Sequence, residues 1–189
     1  MQTQTSPDPL IRPIALVGLM GVGKTTIGRR LANRMDRDFF DADHEVEEAA
    51  GRSVAEIFND FGEEAFRDGE RKVIARLMES PKPIILALGG GAFVDLQTRA
   101  LLKERAVTVW LQADLDTLVD RVARKPGKRP LLNTEDPRAV LERLSAERGP
   151  VYAEADLTVE SDTGSHDITA ARAHDAVLEF MRGLSEAQP

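Results

Sequence analysis

Gly18-Leu19-Met20-Gly21-Val22-Gly23-Lys24-Thr25 fits the pattern G-x-x-x-x-G-K-[ST], and it stands between a short apolar run, Ile14 to Val17, and a helical run through Ile27 and Leu31. A strand, a glycine-rich turn and a helix in that order form a phosphate cradle. The glycines let consecutive backbone N–H groups converge on phosphate oxygens, and the helix start adds its partial positive charge. Gly21, Val22 and Gly23 are therefore expected to line a nucleoside triphosphate, with Lys24 reaching its β- and γ-phosphates. The Thr25 hydroxyl is expected to ligate Mg²⁺, and Thr26 to join the nucleotide site from the first helical turn.

The rest of the chain follows the alternation this unit sets. Short, mainly apolar runs at Ile14 to Val17, Phe39 to Asp41, Ile84 to Leu88, Val107 to Leu111 and Leu157 to Val159 are separated by helical patterns, as in βαβ units with a buried parallel sheet. This is α/β architecture. At 189 residues with 42% hydrophobic content, the chain suffices for one domain and not for two substantial ones. We expect residues 1–10, polar and carrying two prolines, to form a flexible extension ahead of a single domain over 11–189.

The helices carry their own punctuation. Ser53 and Glu56 form a capping-box pair ahead of an apolar stripe of Val54, Ile57, Phe58 and Phe61, and Gly51 would end the helix before it. Asp95 is placed to cap a helix through Leu96 and Leu101. Leu115, Leu118, Val119 and Val122 follow an i, i+3, i+4, i+7 pattern, and a last helix is expected from about Asp167 to Gly183. Lys125 to Pro137, with three prolines and a glycine, is too broken for a helix.

Composition narrows the partners. A net charge of −7 argues against a nucleic-acid or anionic-membrane surface, and the absence of cysteine excludes disulfides, thiolate metal sites and cysteine nucleophiles. No apolar stretch approaches the roughly 20 residues of a membrane span, and the polar start has no signal-peptide core. These features predict a cytoplasmic protein that binds neither membrane nor nucleic acid. The three histidines, His44, His166 and His174, are expected to face solvent, and Trp110 to sit in the core.

A phosphate cradle alone does not separate a GTPase, an ATPase and a small-molecule kinase. The guanine-specific Asn-Lys-x-Asp tetrapeptide is absent, which argues against the first. Phe39-Phe40-Asp41-Ala42-Asp43 puts two carboxylates on one side if the strand conformation persists through Asp43. One could serve a metal shell and the other an acceptor hydroxyl. The competing interpretation is a plain acidic helix start favoured by the helix dipole, and spacing does not separate the two. Gly89-Gly90-Gly91 then removes every side chain at the C-terminal edge of a strand, where a ligand can approach bare backbone. A loop needing positive φ would explain one of these glycines.

Six motifs in order give a more specific pattern: the Gly18–Thr25 loop, Phe39–Asp43, Gly51-Arg52-Ser53-Val54-Ala55-Glu56-Ile57-Phe58, Gly62-Glu63-Glu64-Ala65-Phe66-Arg67, Gly89-Gly90-Gly91 and Arg129-Pro130-Leu131-Leu132. Over about residues 14–160 the chain resembles shikimate kinases. The resemblance implies the nucleoside-monophosphate-kinase-like branch of P-loop folds, with a three-layer arrangement, a five-stranded parallel sheet in the order 2-3-1-4-5 and a mobile lid over about 121–135. It also implies ATP-dependent phosphorylation of the 3-hydroxyl of shikimate, on the route to aromatic amino acids. Asp43 matches the residue that binds the acceptor hydroxyl and takes its proton, and Asp41 the one that holds Mg²⁺ through water. Arg67 and Arg148 match the pair that grips the shikimate carboxylate, which suits a guanidinium fork. Gly89, Gly90 and Gly91 match the lining of the shikimate pocket. No acidic residue ends the strand before them, since Ala87-Leu88 stands there, so metal coordination is left to Thr25, Asp41, water and phosphate oxygens.

From Arg121 to Thr134 there are five basic residues and no acidic one, which suits a loop closing over phosphates. Arg129 matches the family's lid arginine, a catalytic cation supplied in cis. An adenine-stacking arginine belongs just upstream, where Arg121 and Arg124 both qualify and Arg124 is preferred. The implied partners are ATP with Mg²⁺, and shikimate, acting on a monomer. The alternatives are a related kinase for gluconate or a nucleoside monophosphate, and a non-catalytic nucleotide-binding regulator.

Overall fold

The computed structural model describes residues 11–124, 136–161 and 164–186. Five strands, β1 (Ile14–Val17), β2 (Asp38–Asp41), β3 (Ile84–Ala87), β4 (Val107–Gln112) and β5 (Leu157–Glu160), form one sheet in the order β2-β3-β1-β4-β5. Every pairing is parallel. The central strand β1 is buried along its whole length, as expected of a parallel strand covered on both faces. Its register pairs Leu16 with Ala87 of β3 and Val17 with Trp110 of β4.

Around the sheet lie α1 (Lys24–Met35), α2 (Ala42–Ala50), α3 (Val54–Met78), α4 (Leu96–Arg105), α5 (Leu115–Ala123), α6 (Pro137–Tyr152) and α7 (His166–Glu186). The capping signals act as their chemistry dictates. The Ser53 hydroxyl accepts from the Glu56 N–H while the Glu56 carboxylate accepts from the Ser53 N–H. Gly51 closes α2 in the left-handed conformation, and Asp95 accepts from the Thr98 N–H at the start of α4.

Three local expectations change. Helix α3 is broken at Gly62 (φ +81, ψ +175), which rotates its first two turns relative to the rest. As a result Phe61 is 59% exposed rather than part of the apolar stripe, and the Arg52 guanidinium lies over its ring. Helix α6 is a sixteen-residue element that the sequence pattern did not single out, because Pro150 lies inside it. Its start was visible in Asp136, whose carboxylate accepts from the Arg138 N–H, and in Pro137 at the first helical position. The broken stretch therefore ends before Pro137, and Arg121 to Ala123, counted above with the lid, are the last turn of α5.

Candidate functional site

Strand β1 delivers the glycine loop to the C-terminal edge of the sheet. Gly18, Gly21 and Gly23 all have positive φ, the conformation that side chains resist, and Gly23 caps α1. Lys24 folds back over the loop and donates to the Gly18 and Leu19 carbonyls at 2.7 and 3.0 Å. The loop borders a cleft of about 1590 Å³, which also takes in Thr25, Thr26, Asp41, Asp43, Arg67, Gly89 to Gly91, Arg121, Arg124 and Arg148. The residues expected of the nucleotide and acceptor sites thus share one cavity, apart from buried Val22. Arg129 and the rest of residues 125–135 lie outside the described residues.

Of the two arrangements that their spacing left open, the aspartates adopt the helix start. The strand stops at Asp41, Ala42 begins α2, and Asp43 sits in the first helical turn. Asp41 does not cap this helix; its Oδ2 accepts from the Thr25 hydroxyl at 2.7 Å, which ties β2 to the start of α1. Asp43 can be reached by solvent through the cleft, yet the protein packed around it pushes its carboxyl above the usual carboxylate range. The neighbouring Asp41 charge adds to this, and Lys24 and Arg67 pull the other way.

None of Gly89, Gly90 and Gly91 has a positive φ, so conformational need does not explain them. Space does. A Cβ on Gly89 would lie 2.6 Å from Asp43 Oδ1 and 2.7 Å from Glu70 Oε1, and one on Gly91 would lie 2.3 Å from an Arg67 guanidinium nitrogen. One on Gly90 would lie 3.2 Å from Arg148 Nη1. The glycines form the floor on which both arginines and Asp43 converge.

Two residues that the sequence did not point to hold these groups in place. Glu70, 2% exposed, accepts from Arg67 Nη1 at 2.6 Å through Oε2, while its Oε1 has no hydrogen-bond partner among the described residues. Burial raises the Glu70 carboxyl, partly offset by Arg67. The buried Tyr152 donates its hydroxyl to the Gly90 carbonyl and also hydrogen-bonds Arg148, and its ring packs 6.2 Å from that of Trp110. The i, i+3 spacing of Arg67 and Glu70 on one helix was the available signal for the first. Tyr152 closes the Glu147–Tyr152 segment that carries Arg148, but its role was not readable there because its partner Gly90 is 62 positions away.

The adenine-side candidates separate. Arg121 is committed to the loop, donating to the Val22 carbonyl at 3.1 Å and to Ser161 Oγ at 3.0 Å, whereas Arg124 is exposed at the end of α5. His44 faces solvent as expected, but His166 and His174 are half-buried. His166 opens α7 with its ring against Gly23, where α7 packs on α1. Trp110 is partly buried against the core.

A family model described as shikimate kinase matches residues 20–181. The shikimate kinase of Caulobacter vibrioides is 54% identical over 171 residues, covering 90% of this chain and 82% of that one. The chain belongs to the shikimate kinase family. The shikimate kinase of Bradyrhizobium diazoefficiens is 49% identical and covers 98% of this chain and 92% of its own. Among solved structures, the Acinetobacter baumannii shikimate kinase in complex with shikimate superposes with a TM-score of 0.85 at 37% identity, covering 90% of this chain and 94% of that one. A gluconokinase from Sinorhizobium meliloti shares the fold alone, with a TM-score of 0.62 at 15% identity over 95% of this chain and 99% of that one. Among the described residues no helix is long and apolar enough to cross a membrane.

Proposed function

We propose that this member of the shikimate kinase family transfers the γ-phosphoryl group of ATP to the 3-hydroxyl of shikimate, giving shikimate 3-phosphate and ADP. The observation that carries this is the meeting, in one cleft, of a phosphate loop with Asp43, two guanidinium groups and a glycine floor. A polyol that also bears a carboxylate is the acceptor this set suits. Arg67 and Arg148 take the carboxylate, and Asp43 orients the 3-hydroxyl and accepts its proton as the hydroxyl oxygen bonds to the γ-phosphorus and the bond to the β–γ bridging oxygen breaks. Glu70, buried behind the floor, holds Arg67 Nη1 at 2.6 Å and so orients that guanidinium for the carboxylate. Lys24 would leave the carbonyls it now bonds and neutralise phosphate charge.

The donor set fits magnesium. Thr25 Oγ1 and Asp41 Oδ2 are hard oxygens held together beside the loop. Mg²⁺ keeps several of its waters and is usually bound through one or two protein oxygens together with phosphate oxygens, which this pair beside the loop allows. Bound there, the ion would supply charge neutralisation of the β- and γ-phosphates. Arg124, exposed at the cleft wall, is assigned to adenine, and Arg129 to the transferring group. We assign 11–189 to a single kinase domain.

The test is ADP release with shikimate, gluconate, AMP and CMP as separate acceptors. Turnover with shikimate alone is expected. Turnover with gluconate or a nucleotide in its place would overturn the assignment.

A further inference from the structure

A closed set of hydrogen bonds beneath the phosphate loop is not used by any role assigned above. The Val22 carbonyl accepts from Ser161 Oγ at 2.9 Å and from Arg121 Nη1 at 3.1 Å, and the same arginine nitrogen donates to Ser161 Oγ at 3.0 Å. Ser161 is fixed in turn by its backbone N–H, which donates to the Gln112 carbonyl at 2.6 Å. Residues from the loop, from the last turn of α5 and from the end of β5 thereby meet on one carbonyl oxygen. Val22 and Ser161 are essentially inaccessible, so the bond between them is shielded from water, and half-buried Arg121 reaches both from the cleft wall.

The geometry has a consequence on the other side of the peptide. A planar trans peptide points its C=O and N–H in opposite directions. With the Val22 oxygen drawn toward α5 and β5, the Gly23 N–H is turned away from them. Gly23 borders the cleft, whereas Ser161 does not. Gly23 has φ +101, in a region where glycine moves readily between conformations, so the residue itself does little to hold that orientation. Two donors on the preceding carbonyl do.

We propose that Arg121 and Ser161 are positioning residues for phosphoryl transfer, which clamp the Val22 carbonyl and so hold the Gly23 N–H toward the nucleotide phosphates. This rests on the assignment of the loop to a nucleoside triphosphate. It gives Arg121 a role separate from adenine contact, and gives a function to a buried serine 139 positions from the residue it holds.

The experiment compares Arg121→Met, Ser161→Ala and the double variant with wild type by steady-state kinetics, and by calorimetric titration with ADP and with inorganic pyrophosphate. Each single variant is expected to lose on the order of 10-fold in kcat, as for a weakened preorganised donor, with KM for shikimate within about twofold of wild type. Affinities for ADP and pyrophosphate should fall by the same factor, since the effect is on phosphate and not on the base. The double variant should be little worse than the poorer single one, because both side chains act on one oxygen. Arg121→Lys should recover part of kcat, and Ser161→Cys provides a volume-preserving test should the alanine variant prove unstable.

Wild-type kcat in Arg121→Met together with Ser161→Ala or Ser161→Cys would overturn the proposal. So would weakened ADP binding with unchanged pyrophosphate binding, which would make Arg121 an adenine contact, or losses that multiply in the double variant. The pyrophosphate titration involves no acceptor, so it separates a failure of this clamp from a failure of the shikimate assignment.

Discussion

Adding one methyl group to the glycine floor should disable acceptor binding while sparing the fold. Gly91 has φ −98 and ψ −14, a conformation alanine adopts without strain, so Gly91→Ala carries no backbone penalty. The new Cβ, however, would lie 2.3 Å from Arg67 Nη2, where ordinary contact begins at about 3.4 Å. The guanidinium must therefore retreat by about 1.1 Å while its other nitrogen is held at 2.6 Å by Glu70. A displacement of about 1 Å in a positioning group costs on the order of 10²-fold, or about 2.7 kcal/mol of transition-state stabilisation. We expect kcat/KM for shikimate to fall by about that factor in Gly91→Ala, with ADP affinity and Tm near wild type. Steady-state kinetics with both substrates varied, a thermal melt and an ADP titration provide the three readouts. Wild-type kcat/KM for shikimate in the folded variant would refute the steric argument and return Gly91 to the status of an ordinary loop glycine.

Other substitutions test neighbouring parts of the site. Lys24→Ala should lose about 10²-fold or more in kcat at unchanged Tm, because the lysine serves phosphate charge and not the core. Asp43→Asn should abolish most of kcat/KM for shikimate with ADP affinity intact. Since burial and Asp41 raise the Asp43 carboxyl, activity in the wild type should already fall at a pH above the ordinary aspartate range; Asp41→Asn should move that acid limb to lower pH in a pH profile of kcat/KM. Glu70 is also raised, so its ionised form is disfavoured in the native state and its effect on stability worsens as pH rises from the usual carboxylate range upward. The Tm of Glu70→Gln relative to wild type should therefore improve as pH rises, while kcat/KM for shikimate drops as Arg67 loses its anchor.

What could be seen in the sequence depended on how local the signal was. The phosphate loop, the Ser53 capping box, Gly51 and the Asp95 cap are each specified within about eight residues, and each forms as its chemistry dictates. The sheet order was legible only through the family motifs, since parallel neighbours such as Leu16 and Ala87 are distant in the chain. For Asp41 and Asp43 the spacing left a strand and an acidic helix start open; the strand ends between them, the helix start is the one the backbone follows, and its first turn carries Asp43 into the cleft, so only the family motif pointed to the pair as a site. The three glycines showed that something must pass close by, but the crowding groups came from α2, α3 and α6 and could not be named from the loop itself. Tyr152 and the Arg121–Ser161 pair act through backbone oxygens, which leave no mark in a pattern of side chains.

The Trp110–Tyr152 contact gives the molecule a built-in optical probe. The chain has a single tryptophan, so its emission comes from one place. Trp110 is the register partner of Val17, the residue that leads into the phosphate loop, and its ring lies beside the tyrosine that holds Gly90. An indole that shares a small cavity with Leu19 and Val22 of the loop and packs on the tyrosine bonded to Gly90 should respond to filling of either site, so that the order in which the two substrates bind can be followed by intrinsic fluorescence in the unlabelled protein.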